Sequence, residues 1–208
     1  MSQEVTPLPS ASAIVLRDAP LEVLMLRRSD KSSFMPGAWV FPGGIAEEAD
    51  GDLRMTAVRE TFEESGVWLG EPLSNAEEKR RMLLAGTLRF ADLVAEAPVN
   101  FSRLVPTSRW ITPVGVPKRF DTWFYLAVVS WDVAATAEQN ELVDALWITP
   151  TEALRRHAEK SMQIMFPTAK NLEAIAGFTD TGTLLASRKG AVIEPIQPLL
   201  VNGKPALR

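Results

Sequence analysis

Cysteine is absent from this 208-residue chain, and histidine occurs once, at His157. Without cysteine there is no disulfide, no thiolate nucleophile and no sulfur-held metal. With a single histidine, metal sites built on several imidazoles and Ser-His-Asp catalysis both fall away. A metal bound here is therefore held by oxygen, which selects Mg²⁺ or Mn²⁺. No run is long and apolar enough to span a membrane. The N-terminus shows no basic stretch leading into an apolar one, so no signal peptide is expected and the expected location is cytoplasmic. An excess of either charge is also missing overall: 26 acids face 22 bases, for a net charge of −4. That balance argues against a general nucleic-acid or membrane-surface binder.

The anionic charge that does exist is concentrated. Phe41 to Val67 carries seven acids (Glu47, Glu48, Asp50, Asp52, Glu60, Glu63, Glu64) against two bases, Arg54 and Arg59. The second half of this stretch predicts a helix from Leu53 to Ser65, with Asp52 as N-cap and Gly66 as a left-handed stop. At about 100° per residue, Met55, Val58 and Phe62 share one face. Glu60, Glu63 and Glu64 share the other, since i, i+3 and i+4 are neighbours. Three like charges so close repel one another unless a cation or a basic side chain offsets them. A solvated helix face is the plain alternative for the helix taken alone. The Gly43-Gly44 pair just ahead of it lets the backbone turn sharply and approach a ligand closely.

The chain predicts strands at Ala11–Arg17 and Leu21–Leu26, joined tightly, after a loose tail over residues 1–9. Arg27 and Arg28 end the second strand, where they bind a phosphate or are simply solvated. Ser29–Gly37 reads as a loop and Ala38–Phe41 as a short strand entering the Gly-Gly turn. Residues 74–98 read as helical, their charges forming a solvated face. Strands are expected at Leu104–Thr112, Phe120–Trp131 and Leu142–Thr149, with a turn over Pro113–Pro117. A helix opens at Pro150, capped by Thr149 or Thr151, and another spans Phe166–Phe178. Residues 179–208, with their glycines and prolines, are expected to form an extended arm.

FPGG followed by an acidic loop and R-E-T-F-E-E-S-G-V resembles the Nudix box, G-x5-E-x7-R-E-U-x-E-E-x-G-U with U aliphatic. The helical half matches at Arg59, Glu60, Glu63, Glu64, Gly66 and Val67. Two departures lie upstream: Asp50 stands for the glutamate, and the spacer to Arg59 is one residue longer. Thr61 replaces an aliphatic residue. SFMPGAWVFPGG, RWITP, KRFDTWF and ALWITPTEAL extend the resemblance to a branch that includes the peroxisomal coenzyme A diphosphatases. Leu24, Arg28, Ser29, Gly37 and FPGG match a coenzyme A motif of related enzymes, whereas Met25, Leu26 and Ser33 depart from it.

The resemblance implies an α/β Nudix fold, an α/β/α sandwich with a mixed central sheet. The reading is one domain over residues 1–208, with a helical insertion at about 74–98 and an extended arm at about 179–208. The implied activity is hydrolysis of a diphosphate linkage in a nucleoside diphosphate derivative such as coenzyme A or acyl-coenzyme A, with Mg²⁺ or Mn²⁺. The alternatives are ADP-ribose or NADH-type substrates, a Nudix-fold nucleotide-binding module without catalysis, and an isoprenoid diphosphate isomerase. The absent cysteine and lone histidine weaken the last. The partner is a small nucleotide-type molecule, with no nucleic acid and no membrane, and a homodimer is allowed.

Glu60 and Glu64 are the expected main metal ligands. Glu63 is a ligand or orients the attacking water, and Arg59 holds a glutamate in place. A backbone carbonyl near Gly43 faces the metal. A ligand from outside the helix is expected from the loop before the last strand, Glu141 being preferred to Glu138. Arg28 is a substrate-binding candidate. Arg119 either contacts substrate phosphate or pairs with Asp121, which has the same side-chain parity. Asp50 is expected to be structural or solvated, so that Asp50→Asn leaves turnover within a few-fold.

Overall fold

The computed structural model describes residues 5–32 and 35–207. Ser33, one of the departures from the coenzyme A motif, lies outside them, as do residues 1–4 of the tail. In chain order the elements are β1 (Leu8–Arg17), β2 (Glu22–Arg28), β3 (Trp39–Val40), β4 (Gly43–Ile45), α1 (Leu53–Ser65), α2 (Ala76–Leu84) and α3 (Phe90–Glu96). There follow β5 (Val105–Ile111), β6 (Phe120–Val128), β7 (Leu142–Ile148), α4 (Pro150–Ala158), α5 (Phe166–Ile175) and α6 (Thr181–Arg188). The chain closes with β8 (Pro195–Ile196), β9 (Leu199–Val201) and β10 (Lys204–Ala206). No helix among the described residues is long and apolar enough to cross a membrane.

The main sheet runs β3-β2-β1-β6-β5-β8, with β4 also on β1 and β7 also on β2. It is mixed, as expected: β1 and β6 run parallel, whereas β1–β2, β2–β7 and β5–β6 are antiparallel. Both faces of the sheet are covered, so strands alternate between two cores. Ile14, Leu16, Val23, Met25, Phe124 and Leu126 pack on the side of α4, α5 and α6. Ala11, Ala13, Val15, Leu24, Leu26 and Tyr125 pack on the side of α1, against Ala57 and Val58. The long apolar runs of β1 and β2 are thus two interleaved faces.

Three expectations shift. The Gly-Gly segment is a strand rather than a bare turn: β4 pairs Gly43 with Ser12, Gly44 with Ala11 and Ile45 with Ser10. β1 starts earlier, because Leu8 pairs with Phe120 across the parallel ladder. The C-terminal segment is not wholly extended, since it contains α6. The Asp180 side chain accepts from Thr183 N at 2.8 Å, Asp18 accepts from Thr181 N at 2.8 Å, and Leu184 is fully buried. Burial of that one apolar face overrides the low helix propensity of Thr181, Gly182 and Thr183.

Candidate active site

Helix α1 begins as its sequence predicts. The Asp52 carboxylate accepts from Arg54 N at 2.8 Å, and Gly66 ends the helix in the left-handed region, its N–H bonding Phe62 O at 2.9 Å. Val58 and Phe62 are fully buried, and Met55 packs against the cluster that holds Val58. Thr61, at the box position usually aliphatic, is also fully buried, and its hydroxyl donates to Ala57 O at 2.6 Å. The departure is therefore paid within the helix.

The reason for FPGG is close approach. A Cβ on Gly43 would stand 2.6 Å from Ser12 Cα, and one on Gly44 would sit inside contact distance of the Glu60 carboxylate. Pro42 O accepts from Ser12 Oγ at 2.7 Å and from Ala13 N at 3.0 Å, which fastens the segment to β1. Gly43 N–H then donates to Glu64 Oε2 at 2.8 Å. The two glycines and two of the box glutamates form one contact. What Gly43 visibly presents to the acids is its N–H.

Arg59 is the hub. Only 6% of its side chain is exposed. Nε and Nη2 donate to the two oxygens of Asp50 at 2.9 and 3.1 Å, and Nη2 donates to Ile45 O at 3.1 Å. Nη1 donates to Glu63 Oε2 at 3.0 Å and lies 3.0 Å from Glu60 Oε1. One guanidinium thus contacts two of the three box glutamates, where the sequence reading gave it one. Asp50 is structural, and the solvated alternative is excluded: its side chain is 2% exposed. It also accepts from Thr56 Oγ1 at 2.8 Å and Glu47 N at 3.0 Å. A short 3₁₀ turn, Glu48–Asp50, takes up the extra spacer residue and swings the shorter acid under Arg59. Burial raises the Asp50 pKa, but the hydrogen bonds from Arg59, Glu47 N and Thr56 outweigh it and hold the carboxyl below its usual range.

The remaining acids are shifted the other way. Burial, with Glu63 and Asp50 adding repulsion against the pull of Arg59, pushes Glu60 up to about 7. Glu63 is raised for the same leading reason. Glu64 keeps some exposed area, yet its carboxyl is enclosed by protein, and burial followed by the Glu60 charge drives it well up. Among the described residues no three acidic or histidine side chains converge into a preassembled metal cage. The chemistry of the donor set nevertheless fits a hard divalent cation: crowded carboxylate oxygens, no nitrogen or sulfur, and charge held back by desolvation and mutual repulsion. Without a metal, Arg59 is the counter-charge that Glu60 and Glu63 share.

The far side of the site comes from the β2–β7 ladder. Arg28 pairs with Leu142 after a register shift, and Ser29 N–H donates to Glu141 O at 2.7 Å. Arg28 Nη2 donates to Ser32 Oγ at 2.8 Å and lies 3.9 Å from Glu141 Oε2. The charges of Arg28 and Glu141 both reach Glu64, in opposite senses. Glu138, the competitor, uses its carboxylate on the backbone: Oε1 accepts from Leu142 N at 3.0 Å and from Glu141 N. The structure sets Arg28 beside Glu141 and leaves Glu138 as a loop cap.

Arg119 is the correction among the site residues. It is 3% exposed and donates to Thr112 O at 3.1 Å and Val5 O at 2.9 Å, which leaves no open face for a substrate phosphate. The pair with Asp121 also fails, because Arg119 precedes β6 and lies outside its pleat. Asp121 is taken by Arg109, at 2.8 and 2.6 Å, a diagonal neighbour across the β5–β6 ladder.

The sequence pattern that defines the NUDIX domain matches residues 6–168. The chain belongs to the Nudix family. A Caenorhabditis elegans relative named as a nudix hydrolase is 30% identical over 202 residues, covering 91% of this chain and 66% of the relative. Acyl-coenzyme A diphosphatase NUDT19 of Xenopus laevis is 29% identical over 234 residues, covering 78% of this chain and 62% of that protein. This chain thus spans somewhat less than two thirds of either relative's length. The crystal structure of a NUDIX hydrolase from Alicyclobacillus acidocaldarius superposes with a TM-score of 0.80 at 25% identity, covering 88% of this chain and 96% of that one. The Nudix fold expected from the box is the fold observed.

Beside the N-terminal end of α1 lies an open depression of about 410 Å³, walled by Leu53, Leu104, Pro106, Trp123 and Tyr125, with Asp52 and Arg54 at its rim. Arg54 is neutralised by Asp52 at 2.6 Å and stacks 4.4 Å from the centre of the Phe101 ring. That leaves the depression chiefly apolar.

Proposed function

We propose that this Nudix chain hydrolyses a diphosphate linkage in a nucleoside diphosphate derivative, with Mg²⁺ or Mn²⁺, and that coenzyme A and its acyl thioesters are the substrates to test first. The observation that carries the reading is the face of α1, where Glu60, Glu63 and Glu64 crowd around Arg59 and the Gly43-Gly44 strand. A divalent cation bound there neutralises the diphosphate and lowers the pKa of water. Glu60 and Glu64 would hold it from α1, and Glu141 from the β7 side. Arg59, fixed by its paired hydrogen bonds to Asp50, keeps Glu60 and Glu63 aimed at one place through Nη1. Glu63, 25% exposed, stands where it can orient the water that attacks phosphorus. That attack breaks one P–O bond of the anhydride and leaves a phosphate on each product.

Arg28, beside Glu141 at 3.9 Å, is a candidate contact for a substrate phosphate, and the apolar depression near Leu53 suits an uncharged arm beyond the diphosphate. Both support a coenzyme A-type substrate, as does the resemblance to relatives named for acyl-coenzyme A. We take the chain as one catalytic unit with α2 and α3 as its insertion. The test is incubation with coenzyme A, acyl-coenzyme A, ADP-ribose, NADH, dinucleoside polyphosphates and nucleoside triphosphates, with and without Mg²⁺, products read by mass spectrometry. Metal-dependent cleavage at the diphosphate is the expected result. Tight nucleotide binding with every compound recovered intact would instead identify a binding module.

A further inference from the structure

Most charges of the insertion face solvent, but Arg80 on α2 does not: it is 8% exposed. Its Nε and Nη2 both donate to Glu63 O, at 3.0 and 2.8 Å, and Nη1 donates to Thr136 O at 2.8 Å. Thr136 N–H returns to Ser65 O at 2.9 Å. Glu63 O and Ser65 O belong to the last turn of α1, whose carbonyls have no partner within the helix. A cation there is also favoured by the helix dipole. Gly66 leaves the room, since a Cβ on it would stand 3.2 Å from Arg80 Nη1. No carboxylate lies within ion-pair distance of Arg80 among the described residues. Burial draws its pKa down, and the acids acting on it from further off are Glu138, Glu64 and Glu77.

These contacts place Arg80 between two parts of one site. On one side is the turn of α1 that carries Glu63 and Glu64. On the other is the loop that runs from Thr136 to Glu138, whose carboxylate fixes the N–H groups of Glu141 and Leu142. We propose that Arg80 is a positioning residue that locks the acidic face of α1 to the 136–141 loop, so that Glu64 and Glu141 serve one divalent cation. The insertion is then part of the site's framework. Lysine cannot substitute, because a single ammonium does not span Glu63 O and Thr136 O with a planar fork. The inference rests on the hydrolase reading for its kinetic consequence, but metal binding tests it independently.

The experiment compares wild type, Arg80→Lys, Arg80→Met and the neighbouring Glu77→Gln as full-length proteins. Mn²⁺ affinity is read by electron paramagnetic resonance, turnover by kcat and KM, and folding by thermal melting. In both Arg80 variants the last turn of α1, with Glu63 and Glu64, should loosen along with the 136–141 loop, so Mn²⁺ affinity and kcat should fall about 10-fold or more and thus further than on loss of Glu141 alone, with KM within about twofold. Glu77→Gln should match wild type. A folded Arg80→Lys with wild-type Mn²⁺ affinity and kcat overturns the proposal, whatever its melting temperature. If Arg80→Met does not fold, Arg80→Lys decides alone. Absent turnover with the Mn²⁺ difference intact would sink the hydrolase reading and keep the positioning role. Normal wild-type turnover without that difference would sink the positioning role only.

Discussion

On the α1 side of the site the acids are largely enclosed, Glu60 and Glu63 joined by Arg59 and Glu64 held by the glycine strand. On the β7 side, Glu141 keeps 78% of its side chain exposed and stands 3.9 Å from Arg28. The α1 side is therefore set before any ligand arrives, whereas the β7 side has freedom to move toward one. Desolvated carboxylates respond strongly to a nearby cation, and solvated ones weakly. The buried side should dominate catalysis, and the exposed side should tune affinity.

The strongest test of that contrast is Glu64→Gln. It removes a buried carboxyl without changing its shape, so kcat should fall about 10²-fold or more. Stability without metal should be equal or higher, because the Glu64 pKa is raised and its charge opposes folding as pH rises. Unimpaired turnover in this variant, or full wild-type turnover in EDTA, would break the comparison.

Asp50→Asn comes next. It leaves Arg59 buried with half its anchor gone, which should cost about 3–5 kcal/mol in urea unfolding. Turnover should fall with it, as Glu60 and Glu63 lose their fixed hub, in contrast to the few-fold change expected from sequence. The sign with pH follows from the lowered Asp50 pKa. Its stabilisation is present above the unfolded carboxyl pKa of 3.8 and is lost as pH falls through the folded value. The gap between variant and wild type should therefore narrow below about pH 4. A constant gap would place the loss elsewhere.

Arg119→Met should lower stability by roughly 1–3 kcal/mol through the carbonyls it abandons, with KM unchanged. A raised KM with intact stability would restore the substrate contact. The smallest effect is expected at Glu141→Gln: a few-fold more Mg²⁺ for half-maximal activity and kcat nearly unchanged. If neither moves, the exposed side contributes no ligand.

Much of this was legible because it is local. Helix α1, its Asp52 cap, its Gly66 stop and the shared face of three glutamates follow from spacing along a few turns. The four central strands follow from similarly short patterns, as does a threonine cap on α4, which the structure assigns to Thr149 out of Thr149 and Thr151. Where the reading stayed open or failed, the deciding partner lay beyond one or two helical turns. Asp50 looked ambiguous because a longer spacer and shorter acid only make sense once the 3₁₀ turn tucks it under Arg59. Arg80 sits in a charge-rich helix whose composition gives no sign that one arginine turns inward; the left-handed Gly66 opposite it was the only hint.

Sequence alone determined the family, the fold class and the identity of the acidic face, since each depends on residue type and short-range periodicity. Tertiary structure alone decided which arginine serves which acid. Arg109 rather than Arg119 holds Asp121, Arg59 holds Asp50, and Arg80 takes backbone carbonyls in place of any carboxylate. Those choices follow from strand register and loop closure, which set whether an arginine and an acceptor 9, 12 or 56 positions away come within about 3 Å.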